Sequence, residues 1–128
     1  MSIDLRNGHG EEFSFSTIDW AFYLNLAAIH YGWRAAGTLP PDGWDGSEGP
    51  WQGAYDWNAG QQVTTQDALG FALALERYLA DPKRKECAKD LAEGLSQAVG
   101  FEVTADDDDV KLIVPFVRFA KTGGFSIW

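Results

Sequence analysis

Thr17-Ile18-Asp19-Trp20-Ala21-Phe22-Tyr23-Leu24-Asn25-Leu26-Ala27-Ala28-Ile29-His30-Tyr31 is the stretch on which the fold turns. At about 100° per residue, Asp19, Tyr23, Leu26 and His30 share one narrow side of a helix, Trp20, Leu24, Ala27 and Tyr31 line another, and Phe22 and Ile29 a third. A helix with so thin a polar stripe is expected to be covered by neighbours on nearly every side. Ser16 or Thr17 offers an N-cap hydroxyl, Asp19 stands where a weak capping box wants an acid, and Gly32 supplies a left-handed stop.

Three more helices read outward from this one. Thr64 or Thr65 caps the second, with Asp67 three residues after Thr64, and Ala68, Phe71, Ala72, Leu75, Tyr78 and Leu79 form one broad apolar face. Asp81-Pro82 opens the third, whose stripe is Ala88, Leu91, Leu95 and Ala98. The fourth is expected over 110 to 122, where Lys111, Arg118 and Thr122 cluster at helical spacing, with Pro115 either inside it or marking its true start. Phe13-Ser14-Phe15 and Phe125-Ser126-Ile127-Trp128 alternate with period two and are expected to pair as a small patch. Phe101 to Thr104 reads as another short strand. The residues before Phe13 show a turn signal, Asn7-Gly8-His9-Gly10, and little else. The expectation is a mainly α single domain over residues 1–128. It is a bundle of about four helices near 17 to 31, 65 to 80, 82 to 99 and 110 to 122, with a long aromatic and Gly-rich loop and at most a small two-stranded β patch.

The chain has 128 residues, one domain's worth, and 45% hydrophobic residues, enough for a packed core despite a net charge of −9. The ten Lys and Arg residues are spread along the chain, so nucleic acid is not the expected partner; a basic protein is. Met1 to Arg6 has no basic region followed by an apolar run, and no window approaches the roughly 18 apolar residues of a membrane span, so a cytoplasmic location without membrane contact is expected. A single cysteine, Cys87, agrees with a reducing compartment.

Residues 39 to 65 are the unusual segment. Three of the six tryptophans and five of the fourteen glycines fall there, and no Lys or Arg occurs between Arg34 and Arg77. Asp42, Asp45, Glu48 and Asp56 are therefore locally unopposed. A loop longer than about 12 to 15 residues is functional, disordered or the sign of a missed element, and the aromatics here speak against disorder. Either Trp44, Trp51, Tyr55 and Trp57 fold back as a lid over the first helix, or some of these rings stay exposed beside the acids as a recognition surface. The candidate binding residues are Trp44, Asp45, Trp51, Tyr55, Asp56, Trp57 and Asn58.

Motifs for hydrolysis, nucleotide binding or metalloprotease chemistry are absent, so no catalytic residue, cofactor or metal is assigned. His30 reads as a partly buried structural histidine, His9 as a surface residue and Cys87 as an inert core thiol. Asp42 to Glu48 lacks EF-hand spacing, and the contiguous Asp106 to Asp109 would point its carboxylates apart. The leading expectation is a non-enzymatic protein-binding domain, in concrete form a bacterial immunity or inhibitor-type protein neutralising a basic partner. The alternatives are a small-molecule or carbohydrate module, or minor enzyme, with its pocket between the loop and the first helix, and a structural subunit. For a sugar, Asp56, Asn58 and Gln61 would supply the hydrogen bonds beside the rings.

Overall fold

Ser2-Ile3-Asp4-Leu5-Arg6-Asn7 alternates polar and apolar side chains, and in the computed structural model it is one of the two inner strands of a four-stranded antiparallel sheet. The structure describes residues 2–47, 49–99 and 109–128, and of Val99 and Asp109 the backbone alone. In chain order the elements are β1 (Ser2–Asn7), β2 (Glu12–Ser16), α1 (Thr17–His30), β3 (Gln61–Val63), α2 (Thr65–Ala80), α3 (Arg84–Val99), α4 (Asp109–Lys121) and β4 (Phe125–Ile127). The expected strand at Phe101 to Thr104 and most of the Asp106 to Asp109 run lie outside the described residues.

The sheet corrects the mainly α expectation. Four helices are present, but with them stands a sheet of order β2-β1-β4-β3, larger than a two-stranded patch. Phe125–Ile127 does not pair with Phe13 to Phe15. Instead β4 lies between β1 and β3, with Leu5 opposite Ile127 and Val63 opposite Phe125, while Phe15 pairs with Ile3. The tight link from β1 to β2 follows from Asn7, whose Oδ1 accepts the N–H groups of His9 at 3.0 Å and Glu11 at 2.9 Å.

Inward-facing Ile3, Leu5, Phe15, Val63, Phe125 and Ile127 are buried. The other face carries Asp4, Arg6, Glu12, Ser14 and Gln62, as expected of an antiparallel sheet wet on one side. There Arg6 pairs with Glu12 and lies over the Trp128 ring.

Helix α1 is capped as its sequence implies. Ser16 Oγ accepts the Asp19 N–H at 3.0 Å, and Gly32, at φ +71°, turns the chain so that the Trp33 N–H meets the Ala27 carbonyl at 3.0 Å. It is not covered all round. Trp20, Phe22, Tyr23, Leu26 and Ala27 are buried, while Ile18 and Ile29 face solvent, because β2, α2 and α3 occupy its other sides.

The rings instead converge on Phe116 of α4. Its ring lies 5.0 Å from Phe15, 5.3 Å from Phe71 and 6.3 Å from Trp20, edge-on in each case. Helix α4 runs unbroken through Pro115, which sits on its exposed side, so the bond its missing N–H forgoes falls toward water. Among the described residues no helix is long and apolar enough to cross a membrane.

Candidate functional site

The long connection from α1 to β3 is held in one shape by polar bonds directed at backbone. It closes where Gly37 and Gly53 touch: a Cβ on Gly53 would stand 3.3 Å from the Gly37 Cα, and both residues have positive φ, so neither tolerates a side chain. Beside this closure, buried Thr38 donates its hydroxyl to the Ala54 carbonyl at 2.8 Å, and Trp51 Nε1 donates to the Thr38 carbonyl at 2.9 Å. Leu39 exchanges two backbone hydrogen bonds with Gln62, so the loop also covers the outer edge of β3.

Two buried polar side chains complete the frame. Gln61, fully buried, accepts the Ala59 N–H at 2.9 Å and donates to the Trp57 carbonyl at 2.6 Å. Asp67, 3% exposed, accepts the N–H of Ala36 at 2.9 Å through Oδ1, and that of Gly37 at 3.1 Å together with the Tyr55 hydroxyl at 2.7 Å through Oδ2. Thr64 still caps α2 by accepting the Asp67 N–H at 3.1 Å. The Asp67 carboxylate, however, reaches across to the loop instead of back to its own helix start. Burial, and next the bond to Asp67, push the Tyr55 hydroxyl far above the usual tyrosine range.

The seven expected binding residues divide. Trp44, Trp51 and Trp57 form a row, edge to face, at 5.1 and 5.6 Å between neighbouring ring centres. Trp44 and Trp51 are half-buried, but Trp57 is 47% exposed, with Asp56 and Asn58 exposed beside it. Tyr55 belongs to the frame: its carbonyl accepts Trp20 Nε1 at 2.8 Å and its hydroxyl is spent on Asp67. Asp45 is exposed and caps its own turn, and the Ser47 N–H holds its carboxyl below the usual range. The loop is therefore part lid and part surface.

Sequence reasoning placed Gln61 among groups free to bond a sugar; buried and committed, it positions Trp57 instead. His30, expected to be partly buried, is exposed, and Cys87 is half-buried. Among the described residues no group of three or more His, Cys, Asp or Glu side chains is placed to hold a metal ion.

A second feature was not anticipated. A cleft of about 240 Å³ lies between the segment Gly32 to Ala36 and α2, with Arg34 and Arg77 in its lining and Gly70 and Trp33 beside them. The available signal was Gly70, an interior helix glycine on the same side as Gln66, Leu73 and Arg77. Glycine costs a helix about 1 kcal/mol relative to alanine, so its presence asks for a close neighbour. No protein-family model, curated protein or solved structure matches the chain.

Proposed function

We propose that this is a non-enzymatic protein-binding domain whose acidic, aromatic loop occupies a basic partner, in the manner of an immunity or inhibitor protein. The observation that carries the proposal is Trp57: a large ring 47% exposed and seated edge-on against Trp51, on a backbone whose carbonyl is held by fully buried Gln61. Exposed rings on a fixed frame make effective anchors because little side-chain freedom remains to be lost on binding. Exposed Asp42, Asp45 and Asp56 stand within two residues of Trp44 or Trp57 along the chain, whose net charge is −9. That field would speed encounter with a basic surface.

The test is an affinity pull-down from the native host's lysate with wild type, Trp57→Ala and Asp42→Asn/Asp56→Asn. A basic protein held by wild type, lost with Trp57→Ala and released from the charge variant at lower salt supports the reading. Retention of the same proteins by all three, or retention of none, overturns it. The small-molecule alternative expected its pocket between the loop and the first helix; the cleft that favours a small ligand lies instead between Gly32 to Ala36 and α2.

A further inference from the structure

We infer that the cleft between Gly32 to Ala36 and α2 binds a small organic anion, a carboxylate or phosphate monoester carrying one apolar ring. The site is separate from the aromatic loop and does not rest on a protein partner.

Three independent features point the same way. The first is charge. Arg34 and Arg77 both line the cleft, in a chain with almost twice as many acids as bases. Among the described residues neither makes an ion pair: Arg77 donates through Nη2 to the Tyr31 carbonyl at 2.6 Å, at the C-terminus of α1, and Arg34 is exposed. Asp67 is the one acid in the lining, and both of its oxygens are already taken by Ala36, Gly37 and Tyr55. Two guanidinium groups against one fully bonded carboxylate leave the cleft net positive, and guanidinium forks suit the planar oxygens of carboxylates and phosphates.

The second feature is an unpartnered donor at the floor. Trp33 is 8% exposed, stacked on Phe71 at 4.6 Å, and its Nε1 is buried with no acceptor. Buried donors are nearly always bonded, so a vacant one asks for a reason. Its position gives one. A Cβ at Gly70 would lie 3.1 Å from Trp33 Cδ1 and 3.3 Å from Nε1, so the polar edge of the indole lies directly beneath the glycine that lines the cleft.

The third is size and polarity. Leu73, 43% exposed, stands in the lining one turn from Gly70 and offers the apolar contact. At about 240 Å³ the cleft is smaller than the roughly 300–1,000 Å³ typical of drug-sized ligands. It fits one ring and one acidic group.

Titration calorimetry of the full chain with benzoate, phenyl phosphate and inorganic phosphate, each to about 10 mM, tests this. Wild type is expected to bind at least one ring-bearing anion more tightly than inorganic phosphate. Preference for benzoate identifies the carboxylate source and preference for phenyl phosphate the phosphoryl source. Arg34→Ala, which removes an exposed side chain with no ion pair among the described residues, is expected to weaken binding about tenfold or more, the effect of losing a charge-assisted bond. Gly70→Ala is expected to do the same by filling the floor. Arg118→Ala, a base on α4 outside the cleft, is expected to bind as wild type. Absence of binding by both ring-bearing anions, inorganic phosphate bound as tightly as the better of them, equal binding by Arg34→Ala, or equal weakening by Arg118→Ala overturns the inference.

Discussion

Around Phe116 the rings of Phe15, Trp20, Phe71 and Phe125 hold one another, whereas in the loop Trp51, Tyr55 and Trp57 are held by hydrogen bonds that run to backbone or to buried Asp67 and Gln61. The residue types are the same and the means of fixing them differ. A ring surrounded by rings contributes through its whole buried area and cannot be removed without leaving a hole. Trp51 and Tyr55 give their own polar atoms to the frame, whereas Trp57 joins it only through its backbone carbonyl, so the frame keeps that bond when the Trp57 ring is cut away. The first arrangement builds a core and the second builds a surface.

The sharpest way to break this contrast is at the hub. Phe116 is fully buried among side chains from the sheet, α1 and α2, so Phe116→Ala is expected to cost about 3–5 kcal/mol. Urea unfolding would read this as a large fall in midpoint, and a loss under about 1 kcal/mol would mean that the core closes over the gap.

A smaller effect is expected where the frame meets the core. Tyr55→Phe removes the hydroxyl that bonds Asp67 at 2.7 Å, a bond to a charged group worth about 2 kcal/mol. It also carries a pH signature. The folded-state Tyr55 hydroxyl titrates above its unfolded value of about 10. Its contribution is therefore present in full below pH 10 and lost as pH rises above it, because the unfolded chain gives up the proton first. The wild-type stability should fall above pH 10 more steeply than that of Tyr55→Phe, by up to about 1.4 kcal/mol per pH unit. Parallel alkaline curves would remove Tyr55 from the frame.

The same contrast explains what was legible in the sequence. The four helices could be read because Ala68, Phe71, Ala72 and Leu75, or Ala88 and Leu91, repeat at helical spacing, a local signal. Strand β1 carries the right alternation, but in Ile3 and Leu5 it has two inward apolar residues, and its importance comes from a partner at the far end of the chain, Ile127. Strand β3 was hidden because one of its inward residues is Gln61, a polar side chain that no apolar pattern detects. In the loop, composition marked the aromatic and acidic segment, yet could not say which rings would sink. That depends on where the Thr38 and Trp57 carbonyls come to lie, which Gly37, Gly53 and Gln61 decide. The Arg34 and Arg77 cleft was still less visible, since its two bases meet only after α1 and α2 have packed.

The smallest effect on stability is expected at the residue proposed to matter most for binding. The Trp57 ring is 47% exposed and its one aromatic neighbour among the described residues is Trp51, edge-on at 5.6 Å. A pair of that kind contributes about 0.5–1.5 kcal/mol beyond the area it buries. Gln61 holds the Trp57 backbone carbonyl and not the ring, so that bond survives truncation. Trp57→Ala should therefore lower stability by about 1 kcal/mol or less, a few degrees in Tm. The near-UV circular dichroism of the remaining indoles would be largely kept. A loss comparable to that of Phe116→Ala would make the ring a lid over the core, and weakened partner capture by the variant would then report unfolding instead of a lost contact. Stability kept and capture lost, measured on one preparation, is the combination that places Trp57 in the surface class.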